Sequence, residues 1–178
     1  MRLDAVVLVT GSRLLLPRIP GIERAKVVFA SEILAGKSEV GERVAIIGGE
    51  LVGCETAEYL ADQGRKVIVT RRGGAMAAST NPLARDILLA RLKARGVTLL
   101  PGVKYEEITD EGVVITREGQ RQTILADTIV LAAGAIPEVS LLSALQARGI
   151  PVYAIGDCAS PGKIADALRD GARVGREI

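Results

Sequence analysis

The sequence contains no histidine and no tryptophan, and it has one phenylalanine and two cysteines. Without histidine, the commonest general base and a common zinc ligand are missing, so we expect neither a side-chain triad nor a metal site. Cys54 and Cys158 stand far apart and form no C-x-x-C motif, which argues against a redox dithiol or an iron–sulfur cluster in this chain. We expect both thiols to be buried. Any chemistry would then depend on a bound cofactor.

Charge and hydropathy exclude two further classes of partner. The 23 basic and 21 acidic residues are nearly balanced and aromatic residues are scarce, so nucleic-acid binding in a basic, aromatic groove is not expected. No apolar run reaches membrane-spanning length, and Met1–Asp4 lacks the order of a signal peptide. With 48% apolar residues the chain can form a globular core. We therefore expect a cytoplasmic protein with neither a nucleic-acid nor a membrane partner.

The clearest pattern is a strand–turn–helix–strand unit that begins at Arg43. Residues 43–47, apolar after Arg43, predict a buried strand, Leu51 to Gln63 predicts a helix that ends at Gly64, and 66–70 predicts the next strand. This is the length of a βαβ unit. Its inward helical face is predicted to carry Val52, Thr56, Ala57 and Leu60.

The turn inside this unit is close to the dinucleotide-binding pattern G-x-G-x-x-G. That pattern needs one glycine for the tight turn, a second for approach of the backbone to the pyrophosphate, and a third for close helix–strand packing. Gly48 and Gly53 fill the outer positions, whereas Glu50 stands where the second glycine belongs. The candidate cofactor-binding residues of the turn are Gly48, Gly49, Glu50, Leu51, Val52 and Gly53.

Two interpretations of Glu50 stay open. Its carboxylate could neutralise the N-terminus of the helix and block the pyrophosphate, leaving a domain without cofactor and with a structural or interaction role. It could instead point outward and only weaken binding of a nicotinamide dinucleotide.

The residues after the second strand bear on the choice of nucleotide. An NAD-binding site commonly has an acid there for the ribose 2′-hydroxyl, but this chain has Thr70, Arg71 and Arg72. Two guanidinium groups without the acid suit a 2′-phosphate, so the sequence favours NADPH over NADH. A solvated basic loop is the alternative. Ala133 and Gly134, at the end of a later strand, could let the backbone pass close to the cofactor or simply end that strand.

The remaining chain completes an α/β fold. Asn81-Pro82 predicts the start of a second helix, with Leu83, Ile87, Leu88 and Leu92 inward. Turn signals at 110–112 and 118–120 separate three strands, which predicts an antiparallel meander. Ser31 is a candidate N-cap for a short helix after the strand 27–29. We therefore expect a Rossmann-like, three-layer domain with a parallel sheet and a three-stranded meander.

The motifs Ile47-Gly48-Gly49 and Leu51 to Leu60 resemble the pyridine-nucleotide disulfide oxidoreductase superfamily of flavoproteins with two dinucleotide-binding domains. More narrowly, they are similar to the C-terminal part of bacterial 2,4-dienoyl-CoA reductases and related NADH:flavin oxidoreductases. The resemblance implies a nicotinamide domain at 41–135, between partial flavin-domain segments at 1–40 and 136–178.

The same resemblance implies flavin contacts in the flanking segments. Val9-Thr10-Gly11, followed closely by Arg13, is similar to an A-T-G stretch, and Gly156-Asp157 matches the G-D pair whose aspartate meets the flavin ribityl chain. Alternatively, Asp157 caps the turn that follows it. In the full-length protein, hydride would pass from NAD(P)H to FAD or FMN, with no catalytic side chain in this chain. Its partners would be the missing flavin-domain and catalytic-barrel portions. The chain alone is expected to be an inactive fragment that purifies without flavin.

Overall fold

The computed structural model describes residues 3–24 and 26–178. The strands are β1 (Val6–Leu8), β2 (Ser12–Leu14), β3 (Val27–Phe29), β4 (Arg43–Ile47), β5 (Lys66–Arg71), β6 (Thr98–Pro101), β7 (Lys104–Ile108), β8 (Gly112–Arg117), β9 (Gln120–Leu125), β10 (Thr128–Leu131), β11 (Ala135–Pro137) and β12 (Val152–Ala154). The helices are α1 (Ala30–Leu34), α2 (Leu51–Asp62), α3 (Pro82–Ala94), α4 (Leu142–Gln146) and α5 (Ile164–Val174), with a 3₁₀ turn at Gly156–Cys158.

The chain forms two compact units. The larger unit spans Leu16–Ala133, and the smaller one combines Met1–Leu15 with Gly134–Ile178. We expected the central domain to begin at residue 41, but residues 16–40 group with the larger unit, because β3 pairs with β10 in its sheet.

The larger unit is built on a five-stranded parallel sheet in the order β3-β10-β4-β5-β6. Alternate residues of the central strands face opposite layers, as the period of two requires. In β4, Val44 and Ile46 pack with the helices α1, α2 and α3, whereas Ala45 and Ile47 pack with the meander. The expected three-layer α/β fold with a parallel sheet is therefore confirmed.

The meander is the antiparallel sheet β7-β8-β9. Val113 and Ile115 of β8 and Ile124 of β9 are buried beneath the parallel sheet. The turn signals at 110–112 and 118–120 thus predicted the correct connections.

Three details of the predicted helices are wrong. In α2, Val52 is 55% exposed, and the buried face consists of Gly53, Cys54, Thr56, Ala57 and Leu60. In α3, Leu83 and Ile87 are 71% and 50% exposed, and the helix instead buries Leu88 and Leu92 and packs Leu89 against the same core. Ser31 lies inside α1; the N-cap is Phe29, whose N–H donates to the Glu32 carboxylate (2.8 Å).

The start of α3 is as predicted. Asn81 caps it, since its Oδ1 accepts from the N–H of Leu83 (3.0 Å), and Pro82 is the first helical residue.

The smaller unit contains two short strand pairs. β1 and β12 are parallel, and β2 and β11 are antiparallel. Neither β2 nor β11 was predicted from the sequence. Among the described residues, no helix has the length and apolar character needed to cross a membrane.

Candidate functional site

The turn between β4 and α2 requires both of its outer glycines. Gly48 has φ +122°, and a Cβ there would lie 2.1 Å from the carbonyl oxygen of Ala132. A Cβ on Gly53 would lie 1.8 Å from the carbonyl oxygen of Gly48. Helix α2 therefore approaches the end of β4 at a distance that only glycine permits.

The middle of the turn lies under the loop that follows β5. The carbonyl of Gly49 accepts from the N–H of Ala77 (2.7 Å), and a Cβ on Gly49 would lie 2.3 Å from Sδ of Met76. Cys54 is fully buried beneath it, and burial raises the pKa of its thiol to about 11. Cys158, in the smaller unit, is also fully buried. Burial of both thiols, expected from the sequence, is confirmed.

Glu50 occupies the N-cap of α2 but does not cap it with its side chain. Within the described part of the chain, no side chain accepts from the first-turn N–H groups of α2 at this cap. The Glu50 carboxylate instead accepts from Oγ of Ser79 (2.9 Å) and from its N–H (3.2 Å), and it forms an ion pair with Arg71. Leu51 and Val52, in the first turn, are 40% and 55% exposed.

Thr70 is turned away from this edge of the sheet. It is fully buried, its hydroxyl donates to the carbonyl of Ile46 (2.8 Å), and it is hydrogen-bonded to the hydroxyl of Tyr105 (2.9 Å). Burial raises the pKa of Tyr105. In this conformation the Thr70 side chain has no exposed surface to offer a ligand.

The two arginines have different surroundings. The guanidinium of Arg71 is paired with Glu50 and also donates to the carbonyl of Ala75, and 21% of its side chain is exposed. The guanidinium of Arg72 lies over the ring of Tyr105, 5.4 Å from the ring centroid, which is cation–π geometry. The structure therefore brings Glu50, Arg71 and Ser79 together beside the N-terminus of α2. Sequence reasoning missed Ser79 and Tyr105, because both act through contacts between distant segments.

Ala133 and Gly134 follow β10. Ala133 is partly buried, and Gly134 has φ +101° with no other described atom within 4 Å of the place where a Cβ would be. Backbone conformation, and not crowding, therefore explains the glycine. The division between the two units falls between these residues.

In the smaller unit the predicted flavin-contact residues lie near the antiparallel strands β2 and β11. They are Thr10, Gly11, Arg13, Gly156 and Asp157. Thr10 Oγ1 donates to the carbonyl of Glu138, while the carbonyl of Gly11 accepts from the Glu138 N–H (3.0 Å). The Asp157 carboxylate accepts from the N–H of Gly162 (3.1 Å) and from Oγ of Ser12 (3.3 Å), beside the exposed Arg13.

Gly156 has φ +62°, and its N–H donates to the Asp170 carboxylate (3.1 Å). The hydrogen bond from the Gly162 N–H shows that the Asp157 carboxylate holds the loop that follows it.

Comparison with known proteins places these features in a family. The family model described as pyridine nucleotide-disulphide oxidoreductase matches residues 1–171. An NADH oxidase of Thermoanaerobacter brockii is 38% identical over 181 residues, which cover 98% of this chain and 28% of that protein. A metal reductase of Desulforamulus reducens is 31% identical, over 94% of this chain and 29% of that protein.

Two solved structures similar to this chain are likewise named as oxidoreductases, one a reductase and one a dehydrogenase. The structure of a 2-naphthoyl-CoA reductase in complex with 2-naphthoyl-CoA matches with a TM-score of 0.88 and 34% identity, over 98% of this chain and 27% of that one. Histamine dehydrogenase from Rhizobium sp. 4-9 matches with a TM-score of 0.84 and 26% identity, over 98% of this chain and 30% of that one. The chain thus spans less than a third of the length of these relatives. It belongs to the pyridine nucleotide-disulphide oxidoreductase family.

Proposed function

We propose that the larger unit binds a nicotinamide dinucleotide, NADPH or NADH, as the nicotinamide module of a flavin-dependent oxidoreductase. The observation that carries this proposal is the β4–α2 turn, where Gly48 and Gly53 let the helix N-terminus approach the end of a central parallel strand. In open α/β sheets, ligands bind at this carboxyl edge of the strands.

The residues of the turn fit a pyrophosphate in two respects. The first-turn N–H groups of α2 are not capped by the Glu50 side chain, and an uncapped helix N-terminus favours an anion. The exposed side chains of Leu51 and Val52 leave that turn accessible. The Glu50 carboxylate opposes an anion by its charge, but its hydrogen bonds direct it to Ser79 and Arg71.

When bound, the cofactors would supply hydride transfer from nicotinamide to flavin. The role of this chain is to bind and orient, and none of its side chains is assigned as an acid, base or nucleophile. In the larger unit the turn Gly48–Gly53, Arg71, Arg72 and Ala133 would hold the nicotinamide nucleotide, with Gly134 following. In the smaller unit Thr10, Gly11, Arg13, Gly156 and Asp157 would contribute to a flavin site.

The finer assignment is a protein similar to 2,4-dienoyl-CoA reductases. It is supported by the 34% identity to 2-naphthoyl-CoA reductase, which is likewise named as a reductase of a CoA thioester. The partners of this chain would be the rest of the flavin domain and a catalytic barrel that reduces the substrate.

A cofactor-silent domain is the second candidate function. The observation that favours it is the Glu50–Arg71 ion pair, which neutralises one of the two guanidinium groups predicted to meet the nucleotide. In that case the turn would serve packing alone, and the unit would have a structural or interaction role.

Calorimetric titration of the purified chain with NADH and with NADPH separates the two candidates. We expect saturable binding of at least one nucleotide. Val52→Glu places a carboxylate in the first turn of α2. A like charge about 4 Å from a phosphate costs on the order of 1 to 4 kcal/mol, so the affinity for the nucleotide should fall at least fivefold. Tyr59→Glu, at a residue 42% exposed on the same helix but further from its N-terminus, is the matched control.

No binding of either nucleotide to the unaltered chain would contradict the proposal and support the silent domain. Equal effects of the Val52 and Tyr59 substitutions would show that a nucleotide binds away from the turn.

A further inference from the structure

The Glu50 carboxylate sits among donors that form an anion-binding site. Ser79 supplies its hydroxyl (2.9 Å) and its backbone N–H (3.2 Å), and Arg71 supplies a guanidinium. Hydrogen bonds to a charged acceptor are the stronger kind, and a guanidinium is well suited to either a carboxylate or a phosphate. The chain therefore contains an anion site that is occupied by one of its own side chains.

The place of this site in the fold indicates which external anion would compete. Arg71 ends β5, the second strand of the βαβ unit, where dinucleotide-binding domains meet the 2′ position of the adenosine ribose. Thr70 is fully buried and bonded to Ile46 and Tyr105, so it does not take this role. A 2′-phosphate directed at Arg71 would meet a guanidinium that already holds the carboxylate of Glu50.

We propose that Glu50 is a specificity-determining residue whose carboxylate occupies the 2′-phosphate position and so disfavours NADPH relative to NADH. This inference rests on the proposed nucleotide-binding function. It revises the preference for NADPH that two arginines without an acid suggest, because one of the arginines is neutralised within the chain.

The competition is selective because the two nucleotides differ only in the 2′-phosphate. NADH places a neutral hydroxyl near the Glu50–Arg71 ion pair and leaves that pair intact. NADPH must either displace the Glu50 carboxylate or bind beside it. Glu50 is 40% exposed in its side chain, so the carboxylate can move into solvent, but Arg71 then loses its partner. A charge-assisted hydrogen bond is worth about 1.5 to 3 kcal/mol, or roughly tenfold to a hundredfold in affinity.

The test measures the dissociation constants of NADH and NADPH by calorimetry for the unaltered chain and three variants. Glu50→Gln removes the charge and keeps the size of the side chain. Glu50→Gln with Arg71→Ala also removes the guanidinium. Glu55→Gln removes one charge from an exposed position of the same helix and is the control. If Glu50→Gln does not fold, Glu50→Gly replaces it, since the φ of −83° at this residue suits glycine as well.

We expect the unaltered chain and Glu55→Gln to bind NADH at least as tightly as NADPH. In Glu50→Gln, NADPH should bind at least tenfold more tightly than before, with NADH changed by less than threefold. The added Arg71→Ala substitution should abolish that gain.

The contrary outcomes are distinguishable. Equal tightening of both nucleotides in Glu50→Gln would show that Glu50 opposes the pyrophosphate and would overturn the inference. Weaker NADH binding would show that Glu50 accepts from the ribose hydroxyl, which also overturns it. Nucleotide binding with unchanged selectivity refutes the inference alone, whereas no binding by any variant refutes the proposed function as well.

Discussion

Replacing Gly53 with alanine tests whether the close approach of α2 to β4 is real. The added Cβ would lie 1.8 Å from the carbonyl oxygen and 2.9 Å from the carbonyl carbon of Gly48, and 3.3 Å from Cβ of Ala132. The first two are backbone atoms, so no side chain can rotate to make room. The turn and the first turn of the helix must move apart.

Two opposing terms set the magnitude. Alanine is better than glycine inside a helix by about 1 kcal/mol. Overpacking a core site costs about 1 to 3 kcal/mol, and a clash with immobile backbone belongs at the upper end of that range. The free energy of unfolding should therefore fall by about 2 kcal/mol, equivalent to a fall in Tm of roughly 4 to 8 °C for a chain of this size.

Thermal unfolding followed by circular dichroism measures this change. Gly74→Ala is the matched control, because Gly74 lies in the same unit and no other described atom lies within 4 Å of its Cβ position. Its Tm should stay the same or rise slightly. If Gly53→Ala is as stable as the unaltered chain, then α2 does not pack on the turn as described, and the role assigned to the third glycine is wrong.

Two further predictions concern titratable groups. Cys54 and Cys158 are both fully buried, and the pKa of Cys54 is raised to about 11. Neither thiol should therefore react with iodoacetamide at pH 8 in the folded protein, whereas both should react in denaturant. Mass spectrometry that finds Cys54 alkylated under native conditions would contradict its burial. Hydrogen bonds from Arg43 lower the pKa of Asp127 from 3.8 to about 2, so this carboxylate stabilises the folded state above pH 4 and loses that contribution as the pH falls towards 2. Asp127→Asn should therefore unfold at lower urea concentration than the unaltered chain at pH 7, and a difference that persisted undiminished near pH 2 would refute this assignment.

The sequence predicted the parts of the fold that depend on local pattern. The apolar stretch of β4, the glycines of its turn and the Asn81-Pro82 cap each act within a few residues, so the βαβ unit and the start of α3 follow from them. Periodicity alone does not show which apolar residues meet a neighbouring element. For that reason Leu83 and Ile87 were predicted to be buried, whereas the structure exposes them. β2 and β11 have three residues each and form only by pairing with each other across the sequence.

The candidate site was predictable in position but not in its contacts. The glycine pattern located the turn, and the break in that pattern at Glu50 was visible. The partners of Glu50 were not visible, because Ser79 lies 29 residues away and reaches it only when the loop after β5 folds back. The hydroxyl of Thr70 likewise depends on Tyr105, which lies 35 residues further along the chain.

The most direct test of the central claim is an amide chemical-shift map of the isotopically labelled chain, recorded while NADH or NADPH is added. Binding at the β4–α2 turn predicts that the backbone N–H signals of Leu51, Val52 and Gly53 shift most and saturate with the nucleotide. Amides at the far end of α2, near Asp62, serve as the internal control and should move little. Saturating shifts confined to other segments, or no shift at millimolar nucleotide, would contradict the claim that this turn binds a nicotinamide dinucleotide.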